Sequence, residues 1–155
     1  MIDIRTEVQD RELMNALNRL RRKTGNLRPI MREISETMKS SVEENFKQES
    51  SRGTLYGGGR GGAWADLAPS TLRNRARQSK AGKKLQVTGQ LLGSIQTKSD
   101  DKEALVGTNK RNKGFSYPLA LQEGTKRMPA RPFLVLQQTD VQEIKKIIDE
   151  YFRGF

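Results

Sequence analysis

The sequence predicts an α+β fold in which a small, mainly antiparallel sheet packs with one long helix and a C-terminal helix. Three observations favour this class. Apolar residues recur at helical spacing over 27–46 and again over 141–152, which is typical of amphipathic helices. Between these stripes, residues 94–99 and 103–108 flank Asp100-Asp101, and this pattern predicts a β-hairpin.

The N-terminal part is predicted to hold a strand and two helices. Residues 2–8 alternate apolar and charged or polar side chains, which is typical of a half-buried strand. Gln9-Asp10 opens the first helix and Gly25-Asn26 ends it. The long helix begins near Leu27, with Pro29 in its first turn. Its acidic face indicates solvation, since no histidine is present to make a metal cluster with those acids. The apolar stripes are Leu13, Leu17 and Leu20 in the first helix and Leu27, Ile30, Met31, Ile34, Met38, Val42 and Phe46 in the second.

Two short helices are predicted before the hairpin and one after it. Pro69-Ser70 starts the first of them. Thr88-Gly89 starts the second and directs Leu91 inward. The third turns helical after Pro118 and ends at Gly124.

The C-terminal part opens with a stretch that cannot be helical. Each proline of Pro129-Ala130-Arg131-Pro132 pushes the residue before it towards extended geometry. Phe133–Leu136 is then predicted to be a buried strand or the start of a helix. For the last helix, Thr139 and Asp140 are the capping candidates, and Gln142-Glu143 is placed for a capping box.

Two stretches are predicted to be loops, a glycine-rich one at 50–62 and a basic one at 78–84. Gly57, Gly59 and Gly62 fit the dinucleotide pattern G-x-G-x-x-G in form. The pattern needs a strand before it and a helix after it, and neither is predicted here, so the match is spurious.

Composition excludes most catalytic chemistry. The chain has 155 residues, about the size of one domain, so we predict a single domain over 1–155. It contains no cysteine and no histidine, which removes disulfides, thiolate zinc sites and the side chain best suited to proton transfer near neutral pH. No catalytic, metal or cofactor residue is therefore predicted. The longest apolar run, Phe133–Leu136, is far shorter than the ~20 residues that cross a bilayer, so no membrane partner is expected.

The net charge of +11 leaves two interpretations open. Such an excess supports sequence-independent binding of phosphate, and it equally suits solubility or assembly beside acidic proteins. Every charge in 72–84 is positive, although the two-residue spacing of its arginines scatters them around a helix. The candidate DNA or phosphate contacts are Arg73, Arg75, Arg77, Lys80, Lys83 and Lys84.

Four short motifs follow one another in the second half of the chain. They are Trp64-x-x-Leu67-x-x-Ser70-Thr71, Thr88-Gly89-x-Leu91-x-x-Ser94-Ile95, Val106-Gly107-Thr108-Asn109 and Pro129-Ala130-Arg131-Pro132-Phe133-Leu134. As an ordered series they resemble the phage virion morphogenesis family, the tail-completion type proteins of Mu-like and P2-like bacteriophages. The resemblance covers roughly Phe46 to Tyr151. Where similar proteins read Tyr-Ala-x-x-His-Gln-x-Gly, this chain has Leu121 in place of the histidine, which leaves that position a packing role.

The resemblance implies a structural protein that completes a phage tail or joins tail to head. It also implies a homo-oligomeric ring, with a hexamer favoured, that contacts other tail or connector proteins and lets DNA pass through its lumen. The expected location is the virion, or the host cytoplasm during assembly. The alternative is a basic nucleic-acid-binding protein that contacts DNA through residues 72–84.

The motif residues are interpreted as scaffold or subunit interface. Gly89 and Gly107 are expected to permit turns, and the two prolines around Arg131 to stiffen the approach to Phe133. Arg131 is expected to bond a carboxylate or a carbonyl, either across a subunit boundary or as an intrachain clamp. The full set is Trp64, Leu67, Thr88, Gly89, Leu91, Gly107, Asn109, Gly124, Pro129, Arg131, Pro132 and Phe133.

Overall fold

The computed structural model describes residues 10–51, 53, 55, 61–77, 84, 90–110 and 117–154. Within them, the α+β class is confirmed: six helices accompany one antiparallel pair of strands. In chain order the elements are α1 (Arg11–Thr24), α2 (Arg28–Gln48), α3 (Pro69–Arg77), α4 (Gln90–Gly93), β1 (Gln96–Ser99), β2 (Ala104–Gly107), α5 (Tyr117–Glu123) and α6 (Gln138–Arg153). The strand predicted at 2–8 lies outside the described residues.

Local chemistry sets the ends of α1. The carboxylate of Asp10 accepts a hydrogen bond from the Leu13 amide at 2.9 Å, which satisfies one of the free amides of the first turn. At the other end Gly25 adopts a φ of 74°, a left-handed conformation that glycine takes readily. Both predicted ends of this helix are confirmed.

The long helix α2 is the centre of the core. It packs against α6 and against both strands, while α1 packs against α6. All seven residues of its predicted apolar stripe are buried. The polar residues Ser41 and Asn45 are buried beside that stripe, where they bind the segment that precedes α6.

The predicted hairpin is present, although its strands are shorter than the predicted 94–99 and 103–108. Gln96 pairs with Gly107 and Ser99 with Ala104. Its turn is closed by Asp100, whose carboxylate accepts the amides of Lys102 at 2.7 Å and Glu103 at 2.9 Å. Those two bonds lower the pKa of Asp100 below its ordinary value because they stabilise the charged form.

Three local predictions are corrected. Helix α5 begins at Tyr117, one residue before Pro118 rather than after it, because proline is accommodated in a first turn. Phe133–Leu136 is neither strand nor helix. Gly107 forms no turn, since it is a buried residue of β2 paired with Gln96.

The cap of α6 lies two residues earlier than predicted. Gln137, not Thr139, is the N-cap, and Asp140 is the acid that completes the capping box. The Asp140 carboxylate accepts the Gln137 amide at 2.7 Å. Gln137 is held in place by Ser41 and Asn45 of α2, so tertiary bonds decide where this helix starts.

Candidate functional site

Trp64 lies in a cluster of three aromatic rings. It is 3% exposed and meets the ring of Phe46 edge-on, at 5.6 Å between centroids. Phe46 also contacts Phe133, at 5.4 Å. The indole nitrogen of Trp64 donates to the Pro132 carbonyl at 2.9 Å, and the Ser51 hydroxyl donates to the same oxygen at 2.6 Å. The first and last motifs are thus joined to α2 through buried rings and one shared carbonyl.

Side chains hold the irregular backbone of Phe133 and Leu134. The Gln122 side-chain oxygen accepts the amides of both residues, at 3.0 Å and 2.9 Å, and its nitrogen donates to the Leu134 carbonyl at 3.2 Å. From the opposite side, the Asn45 amide donates to the Phe133 carbonyl at 3.1 Å. Buried backbone groups need such partners when no strand or helix supplies them. This explains why the segment remains irregular although it is apolar.

Arg131 is an intrachain clamp. It is 5% exposed, and its guanidinium donates to the Ala65 carbonyl at 2.9 Å and to the Asp66 carbonyl at 2.8 Å. Its own amide donates to the Leu121 carbonyl at 2.7 Å. Of the two roles expected from the sequence, the structure contains the bond to carbonyls of the same chain. Arg131 thereby fixes the start of the Trp64–Thr71 motif against the Pro129–Leu134 motif.

Gly124 lets α5 turn back towards the last motif. Its φ of 78° is a left-handed conformation, and its amide donates to the Ala120 carbonyl at 2.8 Å. Both features are typical of a glycine that ends a helix. Thr125 then bridges Met128, which closes a tight turn before Pro129. The motif element that precedes Gly124 and the segment that follows it form one folded unit.

The second and third motifs meet at the hairpin. The hydroxyls of Ser94 and Thr108 are 2.8 Å apart, and Thr108 is fully buried. Leu91 is 2% exposed and belongs to the core, whereas Asn109 is exposed. Thr88 and Gly89 lie outside the described residues.

An open groove of about 620 Å³, here called the motif groove, lies where the motifs meet. It is lined by parts of the segments 66–75 and 127–131, together with Leu91, Tyr117 and Leu121. Burial raises the pKa of the Tyr117 hydroxyl. Leu121, which stands where similar proteins have a histidine, is half-buried against the core and brings no proton-transfer group. The groove therefore combines an apolar floor with arginines.

The basic run does not form one surface. Arg73 and Arg77 are exposed on α3, whereas Arg75 is half-buried and lines the motif groove. Lys84 pairs with the Asp66 carboxylate at 3.1 Å and donates to the Trp64 carbonyl at 2.9 Å. Lys80 and Lys83 lie outside the described residues. Of the six predicted phosphate contacts, four are described: Lys84 is engaged within the chain, Arg75 is half-buried at the groove, and Arg73 and Arg77 face solvent.

The ends of the glycine-rich loop are tied together. Ser50 bridges Ala63, the Ser51 amide donates to the Gly62 carbonyl at 3.0 Å, and the Gly61 amide donates to the Gly53 carbonyl at 2.7 Å. The interior of this predicted loop, with Gly57 and Gly59, lies outside the described residues. The tied ends hold Trp64 beside Phe46.

In the part of the chain that the structure describes, acidic side chains do not gather in groups of three or more that could hold a metal ion. None of the described helices combines the length and the apolar composition needed to cross a bilayer.

Sequence reasoning missed Asn45, Ser41 and Gln122 as residues of this site. The signal for the first two was present, because both are polar residues on the buried side of α2. Gln122 belongs to the motif element that ends at Gly124, and its contacts with Phe133 and Leu134 do not follow from the spacing of that motif. The three residues hold the C-terminal motif on the core.

The chain is similar to phage proteins over most of its length. The model of the phage virion morphogenesis family matches residues 8–153. Mu-like prophage FluMu G protein 2 of Haemophilus influenzae is 35% identical over 149 residues, which cover 92% of this chain and 90% of that protein. Mu-like prophage FluMu G protein 1 of the same organism is 33% identical over 124 residues, which cover 79% and 77%. No solved structure is a significant match.

Proposed function

Because the chain belongs to the phage virion morphogenesis family, we propose that it completes the phage tail or the head–tail junction as a closed ring of identical subunits. The family and the two relatives support a role in phage virion assembly. The ring, its place in the particle and the hexameric number favoured above are the proposal. The protein would act in the virion, or in the host cytoplasm while particles are built.

The motif groove is the observation that carries this proposal. Gly124, Arg131 and Phe133 stabilise the fold of the protomer itself. An open groove nevertheless remains where the motifs meet. The groove rim includes Ser70, Thr71 and Pro129, which are exposed and do not belong to the core of the protomer. A rim of exposed residues around an apolar floor is suited to a neighbouring subunit. In a ring each subunit presents such a surface to a different surface of the next, a head-to-tail contact.

The proposed role is structural and uses no cofactor. Cysteine and histidine are missing from the sequence, and the family is one of structural virion morphogenesis proteins. The groove brings together arginines, a tyrosine and aliphatic residues, a combination that recognises protein chains. Assembly, rather than turnover of a substrate, is the activity that these residues serve.

The rival function, DNA binding through residues 72–84, is less well supported. Lys84 is engaged with Asp66 and Trp64, and Arg75 faces the motif groove. Among the described residues of that run, Arg73 and Arg77 are left to meet phosphate from an exposed face.

Light scattering on the purified protein over a range of concentrations tests the ring. A mass close to six subunits that persists on dilution is expected, together with association with tail fractions from an infected or induced host. A monomeric mass at every concentration, with no tail association, would overturn the proposal.

A further inference from the structure

One face of α1 carries arginines and asparagines and no acid that is free to neutralise them. Leu13, Leu17 and Leu20 bury the opposite face of this helix. At 100° per residue, Arg11 and Arg22 lie directly opposite the leucines. Arg19 lies about 60° around the helix from Arg22, on the same face. Asn15 and Asn18 fill the positions between the arginines, and together with Glu12 these residues line a shallow, open depression. The five residues, Arg11, Asn15, Asn18, Arg19 and Arg22, are called here the α1 basic face.

Nearby charges are already paired with each other. Glu12, the one acid that lines the depression, binds Lys145 at 3.2 Å, and Asp10 binds the same ammonium at 3.5 Å. Two further cations of α1 are also engaged, since Arg21 donates to the Asp101 carbonyl and Lys23 lies over the Phe152 ring. Arg11, Arg19 and Arg22, in contrast, form no hydrogen bond or ion pair with another described residue. Their charges are therefore available to an external anion.

The composition of this face favours nucleic acid over protein. A stable protein interface needs an apolar centre, whereas here one exposed apolar side chain, Met14, lies at the edge of the face. Arginine and asparagine are both donors that bind phosphate oxygens. The face has no aromatic side chain on which an unpaired base could stack, so a duplex suits it better than a single strand.

We propose that the α1 basic face binds the phosphate backbone of duplex DNA without reading its sequence. The arginines span twelve residues of helix, about 16 Å from the first to the last, while duplex DNA carries one charge per ~1.7 Å of its axis. Several phosphates thus lie within reach of the face at once. The site is distinct from residues 72–84, and it does not depend on the ring proposed above.

Fluorescence anisotropy with a labelled duplex of about 30 base pairs tests this site as salt is varied. The variant Arg11→Gln/Arg19→Gln/Arg22→Gln removes three charges from the α1 basic face. The matched control Arg73→Gln/Arg77→Gln/Lys126→Gln removes three charges from exposed positions elsewhere. Both retain the same net charge, so long-range attraction is equal and the difference isolates the face. Circular dichroism and light scattering verify that both variants fold and associate like the wild type.

The α1 variant is expected to lose about 2.7 from the slope of log affinity against log salt, because each phosphate contact contributes about 0.9. The control is expected to lose less than about 1. An equal or larger loss in the control would overturn the proposal, because the α1 basic face would then contribute no more than exposed charges elsewhere. An affinity of the α1 variant for DNA equal to that of the wild type would also overturn the proposal.

A second arm uses polyglutamate as an acidic peptide. The α1 variant is expected to lose markedly more affinity for DNA than for the peptide. An equal loss for both, or peptide binding without DNA binding, would identify a surface for acidic proteins and overturn the assignment to DNA. None of these results bears on the mass of the assembly, so the ring proposal is tested separately.

Discussion

Gly124 and Ala130 approach so closely that a Cβ on Gly124 would lie 2.8 Å from the Ala130 backbone nitrogen. Real Cβ atoms do not come that close to a backbone atom, and the neighbour here is main chain that no rotamer change can remove. The same carbon would lie 3.1 Å from the Met128 carbonyl oxygen. The motif elements before and after the 125–128 turn therefore pack so closely at position 124 that glycine fits there without a clash.

Gly124→Ala is expected to destabilise the protein more than Gly25→Ala. Both residues have positive φ, 78° and 74°, so each alanine meets left-handed strain of about 1–2 kcal/mol. Gly25 has no atom within 4 Å of the added carbon, whereas Gly124 faces main chain. Overpacking adds ~1–3 kcal/mol at Gly124 alone. Urea unfolding of both variants measures the difference, and equal losses would contradict the close approach.

Arg131→Ala is expected to destabilise the isolated protomer. It removes two hydrogen bonds and leaves the Ala65 and Asp66 carbonyls without this partner, at a cost of about 1–3 kcal/mol. Arg127→Ala is the control, since that side chain is exposed and such changes shift stability by ~0.5 kcal/mol or less. Unfolding should be measured at a concentration where subunits are dissociated. Unchanged protomer stability combined with lost association would instead assign Arg131 to a subunit boundary.

Local signals in the sequence predicted the parts of the fold that local chemistry determines. The Asp10 cap, the end at Gly25 and the stripe of α2 each depend on residues within a few positions of one another. The start of α6 could not be predicted from the local sequence, because glutamine is a weak capping residue. Gln137 is the N-cap because Ser41 and Asn45, more than 90 positions away, bind its side chain.

Some residues of the candidate site were predictable from the sequence, whereas its geometry was not. The order of the motifs pointed to Trp64, Arg131 and Phe133, and all three are buried where the motifs meet. Spacing alone gave no indication that Gln122 would bind the Phe133 and Leu134 amides. That contact satisfies backbone groups that would otherwise be paired within a strand or helix. Phe133–Leu136 can therefore stay irregular although its apolar pattern predicts a strand or helix.

Stability in acid is expected to depend on Asp10 and Asp100. Amides of Leu13 at the start of α1, and of Lys102 and Glu103 in the hairpin turn, hold the pKa of each carboxyl below its ordinary value of 3.8. A lowered pKa in the folded state stabilises above pH 3.8, and that stabilisation is lost as the pH falls through the lower folded value. Asp10→Asn/Asp100→Asn keeps an acceptor oxygen but cannot titrate there.

The double variant should therefore lose stability less steeply than the wild type between about pH 5 and pH 2. Chemical unfolding at a series of pH values checks this. Glu143→Gln/Asp149→Asn, which changes two exposed acids of α6, is the control and should leave the acid slope close to that of the wild type. A double variant at Asp10 and Asp100 with an unchanged slope would show that these caps do not contribute.

Phe133→Ala is expected to prevent folding or assembly, whereas Phe152→Ala is tolerated. Phe133 is fully buried against Phe46, and removing such a ring costs ~3–5 kcal/mol, a large part of the stability of a small domain. Phe152 is 39% exposed at the end of α6. Thermal unfolding and particle production in a host that lacks the native gene measure both effects. Normal particles from the Phe133→Ala variant would refute the anchoring role of the last motif.

Thr71→Trp is expected to abolish ring formation without unfolding the protomer. Thr71 is exposed on α3 at the rim of the motif groove, so an indole at this position fills the space proposed for the neighbouring subunit. Thr139→Trp introduces the same side chain at an exposed position of α6 outside the groove, and it should associate normally. Light scattering gives the mass of each variant, while urea unfolding of dissociated protein should show changes of ~0.5 kcal/mol or less for both. Since both variants carry an equally large exposed ring, loss of association in the first alone locates the contact at the groove. A ring that forms as well with Thr71→Trp as with Thr139→Trp would place the subunit contact elsewhere.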